Sequence, residues 1–278
     1  MTTMTISAAD VNNLRQKTGA GMMDCKQALT EANGDFEAAI DILRKKGQKI
    51  AANRQDREAK EGYVYGKTTN GGKRGVVVAV CCETDFVGQN ADFIKYGESI
   101  LNLAVEKNPA SIDELKNLNL GNVTVAQTLL DQMGKIGEKI DVVDYQIVNA
   151  DKVVVYNHPG NKLTAVVGFN MAPANIDEVG KDVAMQIAAM APVSIDKDDV
   201  DSKMLEREIE IGKEQARQEG KPENMIEKIA MGKLNKFYNE YTLLNQQFIK
   251  DDTKTIRQYL ESVDKGLKVV SFKRVKLG

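Results

Sequence analysis

Two stretches of the chain end in nearly the same five residues, Pro109-Ala110-Ser111-Ile112-Asp113 and Pro192-Val193-Ser194-Ile195-Asp196, and each closes the same order of elements. In the first, the β-rich runs Tyr63 to Thr69 and Gly75 to Cys82 flank Asn70-Gly71-Gly72, residues that tolerate positive φ, so a hairpin is predicted. A helix follows from about Asn90, striped by Phe93, Tyr96, Ile100 and Leu103. In the second, strands at Val153 to Asn157 and Leu163 to Asn170 flank His158-Pro159-Gly160-Asn161, and Ile176, Val179, Val183 and Ile187 stripe the next helix. A repeated strand-turn-strand-helix unit implies an α+β fold with antiparallel sheets, built by internal duplication.

The copies differ in length. Gly72 aligns with Gly160 at an offset of 88, whereas Pro109 aligns with Pro192 at 83, so the first copy holds about five extra residues. Their expected place is the strand-to-helix loop, Glu83-Thr84-Asp85-Phe86-Val87-Gly88 against Met171-Ala172-Pro173-Ala174. A loop enlarged in one copy invites a functional reading.

Around this core the chain divides further. From Ser7 to Gly47 it reads as three short helices, with Ser7 and Asp35 as N-caps and Gly34 and Gly47 as stops. Val11, Leu14, Met22, Leu29, Phe36, Ile40 and Leu43 are its expected core, and the basic stretch after Gly47 reads as a connecting helix or linker. Residues 203 to 219 and 222 to 238 each carry a narrow apolar seam: Leu205, Ile209, Gly212 and Ala216, then Ile226, Ile229, Ala230 and Phe237. Gly220 and Pro222 lie between them, so an antiparallel coiled-coil hairpin is expected. Thr253 to Ser262 reads as a last helix, and Leu267, Val269, Ser271, Lys273 and Val275 share one parity of a closing strand. The expected segments are a helical bundle with its linker at 1–55, core subdomains at 56–139 and 140–200, the hairpin at 201–238, and a closing helix and strand at 239–278.

With Lys+Arg 38 against Asp+Glu 40 the net charge is −2, which gives no global field for a polyanion. Two local basic segments remain. Residues 44 to 60 hold seven basic and two acidic residues, and residues 265 to 278 hold five basic residues and no acid. They leave an RNA-associated adaptor as the alternative function, although solvated charge is the plainer reading and direct RNA binding is not expected. The sequence shows neither a secretory leader nor an apolar run of ~20 residues, so a cytoplasmic protein without membrane or DNA partners is expected. Cys25, Cys81 and Cys82 form no CxxC pair and are read as reduced and structural.

Catalytic chemistry is sought and not found. One histidine, His158, leaves no zinc cluster and no imidazole-dependent nucleophile pair. Gly66-Lys67-Thr68 imitates the end of a phosphate loop, but Glu61 stands where its first glycine belongs. Asp196, Asp198 and Asp199 fail as a calcium loop at Val200 and Asp201, and read instead as helix caps. No cofactor is expected, and the chain is read as non-enzymatic. Phe86 in the enlarged loop has two readings. Composition favours a ring folded back on its own core; the alternative is a wedge aimed into a partner's pocket. His158 reads as a turn residue, and exposed turns are also contact sites.

The run Leu14-Arg15-Gln16-Lys17-Thr18-Gly19-Ala20-Gly21-Met22-Met23-Asp24-Cys25-Lys26-Gln27-Ala28-Leu29 resembles the opening signature of the bacterial translation elongation factor Ts family. Thr84-Asp85-Phe86-Val87 is similar to that family's core motif, Lys135-Ile136-Gly137-Glu138 to its second, and Gly220-Lys221-Pro222 to its coiled-coil turn, so the resemblance spans essentially the whole chain. It implies a guanine nucleotide exchange factor for the GTPase elongation factor Tu, with a bundle similar to ubiquitin-associated (UBA) domains, a duplicated α+β core and a coiled-coil protrusion. It further implies that Phe86 inserts beside the Mg²⁺ site of the GTPase and that Asp85 supports the loop, together with Thr84 and Val87. Ile136, Gly137 and His158 are implied to touch the same partner, and Arg15, Met22 and Met23 to engage its nucleotide domain. Whether the hairpin serves self-association or partner contact stays open.

Overall fold

The computed structural model describes residues 6–54 and 56–278. The described residues separate into two compact units: one comprises residues 6–54, 56–65, 78–145 and 276–278, the other residues 66–77 and 146–275.

The first unit opens with α1 (Ala8–Thr18), α2 (Met22–Glu31) and α3 (Phe36–Asn53). Ser7 and Asp10 form a reciprocal capping box on α1, Gly19 ends it in the left-handed region, and the Asp35 carboxylate caps α3 by accepting from Glu37 and Ala38 N–H. Val11, Leu14, Ala20, Cys25, Ala28, Leu29 and Ala39 make the core of these helices, with Phe36, Ile40 and Leu43 packed on its margin. Two expectations are corrected here. Met22 is exposed, because it opens α2 and Cys25, one turn on, takes the inward place. Gly47 does not stop a helix but lies inside α3, where its missing side chain admits another helix.

That other helix is α7, reached after β1 (Glu61–Thr69), β2 (Arg74–Cys82), the single turn α4 (Asp85–Gly88), α5 (Ala91–Lys107) and α6 (Ile112–Asn117). A hairpin of two-residue strands, β3 (Asn119–Leu120) and β4 (Val123–Thr124), leads into α7 (Val125–Ile136), and β5 (Asp141–Asn149) follows. The β1–β2 hairpin forms as expected across Asn70-Gly71-Gly72, and the sheet order is β1-β2-β5. Gly66-Lys67-Thr68 lies inside β1, an extended strand that cannot wrap a phosphate. Asn90 caps α5, which buries Phe93, Ile100 and Leu103, while Gly97 leaves room for the buried ring of Tyr63.

The second unit is built on β6 (Lys152–Asn157) and β7 (Leu163–Phe169), antiparallel from Lys152 opposite Phe169 to Asn157 opposite Thr164, with β10 (Val269–Lys276) on the other side of β7. Helix α8 (Ile176–Met190) buries Ile176, Val179, Val183 and Ile187 on Val154, Val167 and Phe169, as its stripe predicts; each such side chain contributes about 1.5–3 kcal/mol of transfer free energy. The extra residues of the first copy are shared out. The connection from β2 to α5 spans residues 83–90 and that from β7 to α8 residues 170–175, while α5 has 17 residues against 15 in α8.

Next come α9 (Ser202–Gln218), capped by Asp201, and α10 (Glu223–Tyr241). Gly212 meets Ala230, and Lys233 bonds to Gln215 and Glu219, so the two helices run antiparallel about the Gly220 turn. Asp196 caps a 3₁₀ turn over Lys197–Asp199. After β8 (Gln247–Phe248) and β9 (Asp251–Thr255), α11 spans Ile256–Val263. The last helix was expected from Thr253. Instead Thr253–Thr255 remain in β9, because Thr255 forms a capping box with Gln258 and fixes the helix start there. In β10 the expected parity also fails midway: Val269 and Val275 are buried, but Phe272 rather than Lys273 turns toward the core.

Candidate functional site

Beyond Cys82 the chain leaves β2 and makes one helical turn. Thr84 caps it, its hydroxyl accepting from Val87 N–H at 3.5 Å, and Gly88 ends it against Gly62. A Cβ on Gly88 would come 3.0 Å from Gly62 N, so the turn lies directly on the backbone of β1. The consequence is an aromatic ring on the outside of the molecule. Phe86 is 85% exposed, which overturns the expectation that it folds back on its own core. Asp85 beside it is exposed, and Thr84 and Val87 are half-buried.

What keeps the turn in place comes from a distant segment. Helix α7 ends at Ile136, and Gly137, with φ 82°, turns the chain sharply so that Glu138 points back at the loop. Glu138 Oε2 accepts from Glu83 N–H at 3.1 Å and Thr84 N–H at 3.0 Å, and Oε1 accepts from the Thr84 hydroxyl at 2.6 Å. Glu83 replies in the opposite direction: its Oε1 accepts from Lys139 N–H at 2.7 Å, and Arg54 Nη1 donates to both its carboxylate oxygens at 2.7 Å. Lys139 Nζ donates to the Arg57 carbonyl at 3.1 Å. Loop 83–88, turn 137–139 and the end of α3 are thus clasped by charge-assisted bonds.

The electrostatics follow from this clasp. Burial raises the Glu83 carboxyl, but the Lys139 N–H and the Arg54 guanidinium outweigh it and hold the group below the ordinary glutamate range. Burial, with the nearby Glu138 charge adding to it, pushes the Cys82 thiol up to about 12. All three cysteines are free and buried. Among the described residues there is no cluster of three or more metal-ligating side chains, and no helix is long and apolar enough to cross a membrane.

The clasp brings Ile136 and Gly137 together with Thr84–Val87. Arg15, Met22 and Met23 are exposed in the same unit, on α1 and at the start of α2, with Met22 56% and Met23 75% exposed. His158 belongs to the second unit, exposed at the β6–β7 turn, where its Nδ1 lies 3.0 Å from the Tyr156 hydroxyl. The basic segment 44–60 spends part of its charge internally: Lys46 pairs with Asp24 and Arg54 with Glu83. The roles of Arg54, Glu83 and Lys139 were not read from the sequence. Glu138 carried a signal, since it closes the quoted Lys135–Glu138 motif.

An exposed aromatic ring beside a carboxylate, both on a braced turn, suits insertion into a second macromolecule. Residues 83–278 match the family described as elongation factor TS. The chain is 54% identical over 275 residues to the elongation factor Ts of Cytophaga hutchinsonii, covering 98% of this chain and 99% of that one. It is 49% identical to that of Amoebophilus asiaticus (99% of this chain, 100% of the relative) and 45% identical to that of Christiangramia forsetii (98% and 99%). The protein is of the translation elongation factor class. Within that class, the chain belongs to the elongation factor Ts family.

Proposed function

We propose that this chain is the guanine nucleotide exchange factor of the GTPase elongation factor Tu: it binds the GDP form, perturbs the Mg²⁺ and phosphate site and releases GDP so that GTP binds. The observation that carries this reading is Phe86, 85% exposed on a turn fastened at both ends, in a chain of this family. Phe86 is the wedge and Asp85, Thr84 and Val87 its setting. Ile136, Gly137 and His158 are further contacts, and Arg15, Met22 and Met23 meet the nucleotide domain.

Thermodynamic linkage explains how such a protein acts without covalent chemistry. A factor that prefers the nucleotide-free GTPase must weaken GDP by the same factor by which GDP weakens it. Much of a GTPase's hold on GDP is backbone N–H groups and Mg²⁺ at the phosphates, so displacing those ligands loosens the nucleotide without touching the base. The reading also takes the protein as non-enzymatic and cytoplasmic, its N-terminal helices as a UBA-like bundle, and α9–α10 as a coiled coil serving partner contact or self-association.

The test is release of a fluorescent GDP analogue from elongation factor Tu, under excess GDP, with catalytic amounts of this protein. Accelerated release with turnover is expected. No acceleration with both proteins folded would sink the reading.

A further inference from the structure

Thr84 joins two hydrogen-bond systems. Its hydroxyl has one proton and two lone pairs, and both functions are used: it donates to Glu138 Oε1 at 2.6 Å and accepts from Val87 N–H at 3.5 Å. The Glu138 carboxylate therefore reaches, through one hydroxyl, the backbone amide that follows Phe86. Its other oxygen holds two successive amides, Glu83 and Thr84, at the loop entrance. All three of these bonds end on loop residues.

We infer that Glu138 is a positioning residue for nucleotide exchange: through Thr84 it holds the turn bearing Phe86 in its presented conformation before a partner arrives. This rests on the exchange reading above. An exposed apolar ring on an unbraced loop would collapse onto nearby apolar surface and would have to be ordered again at each encounter. A braced one meets the partner with that ordering already done. Glu83 completes the device from the other side, its carboxylate fixed by Lys139 N–H and Arg54 so that its own N–H is aimed at Glu138.

The test is Glu138→Gln in the nucleotide-release assay, alone and combined with Phe86→Ala. The amide keeps the shape but takes the charge from all three bonds, and its NH₂ either faces the two loop N–H donors and breaks those bonds or reverses the Thr84 hydroxyl from donor to acceptor. The expected result is a fall in the maximal release rate of about tenfold, the loss of one charge-assisted bond. The concentration for half-maximal effect should change less, and the melting temperature by no more than ~5 °C. In the Phe86→Ala background the same substitution should cost under about twofold, because a residue acting through Phe86 has nothing left to position. Thr84→Val, which removes the hydroxyl, should lower the release rate well below Thr84→Ser, which keeps it; this difference reads the same relay if Glu138→Gln folds poorly. An equal loss in both backgrounds, or none in the wild-type background, overturns the positioning role while leaving exchange intact. No release by the wild-type chain overturns both.

Discussion

Gly47 in α3 and Gly134 in α7 face each other where the two helices cross, so closely that a Cβ on Gly134 would stand 3.2 Å from the Gly47 Cα. A Cβ on Gly47 would run into the Leu130 carbonyl oxygen, which is backbone and cannot swing aside. Helix propensity alone favours Ala over Gly by about 1 kcal/mol. At Gly47 the clash outweighs it, and Gly47→Ala is expected to destabilise by a net ~1–3 kcal/mol. Gly134→Ala, whose contacts are merely tight, should come out near neutral. Urea unfolding of the two variants checks the order; a Gly47→Ala protein as stable as wild type would mean that the helices separate at no cost.

Acid should loosen the clasp at a defined place. The Glu83 carboxyl lies below its ordinary range in the folded chain, so folding favours its ionised form. Its contribution is fully present above the unfolded value, ~4.3, and is lost as pH falls through the lower folded value. Stability measured against pH should therefore decline below about pH 4.3 less steeply in Glu83→Gln than in wild type. The variant should already be less stable at neutral pH, because Arg54 loses its ionised partner. Identical pH profiles would show that Glu83 titrates alike in the folded and unfolded chains.

The elements legible in the sequence are those whose signal is local. Asn70-Gly71-Gly72 announces a hairpin through backbone freedom, Asn90 and Asp35 announce helix starts through their side-chain oxygens, and the α8 stripe announces a buried face. Strand β5 escaped, because most of its residues are half-buried and no period of two stands out. Gly47 was misread because a glycine that ends a helix and one that admits a neighbour look alike until the neighbour is known. The loop motif pointed to Phe86, but the loop is clasped by Glu138 and Arg54, 52 and 32 positions from it; Glu138 is marked only as the end of the Lys135–Glu138 motif, and Arg54 bears no local mark of its purpose. Met22 carried two expectations, core and contact, and its exposure leaves only the second compatible.

The cysteines should behave as three inert groups. Cys25 and Cys82 are fully buried and Cys81 is 1% exposed, and burial raises all three thiols, Cys82 up to about 12. Since the thiolate is the nucleophile, native protein at pH 8 should take up essentially no iodoacetamide over the time in which urea-unfolded protein takes up three equivalents by mass spectrometry. The linkage has the opposite sign to that of Glu83. A thiol raised by folding leaves stability full below the unfolded value, ~8.5, and drains it as pH rises from there toward the folded value. Urea midpoints should fall between pH 8 and 10, and Cys82→Ser should flatten that fall. Rapid alkylation of Cys82 in the native state would contradict the burial.

Phe86→Ala separates folding from function most sharply. The ring is 85% exposed, so its removal takes almost nothing from the core, and stability should stay within ~0.5 kcal/mol of wild type. If the ring is buried in the partner during exchange, its loss removes about 1.5–3 kcal/mol of transfer free energy at that step, a slowing of roughly 10- to 150-fold. Phe86→Leu keeps much of the apolar volume and should lie between the two. Asp85→Ala should cost less than Phe86→Ala, because a carboxylate exposed before binding gains less from leaving water. The nucleotide-release assay run beside thermal unfolding measures both properties in one preparation. Unchanged release by Phe86→Ala would remove the wedge from the mechanism and leave the remaining contacts, Met22 and Met23 foremost, to account for binding.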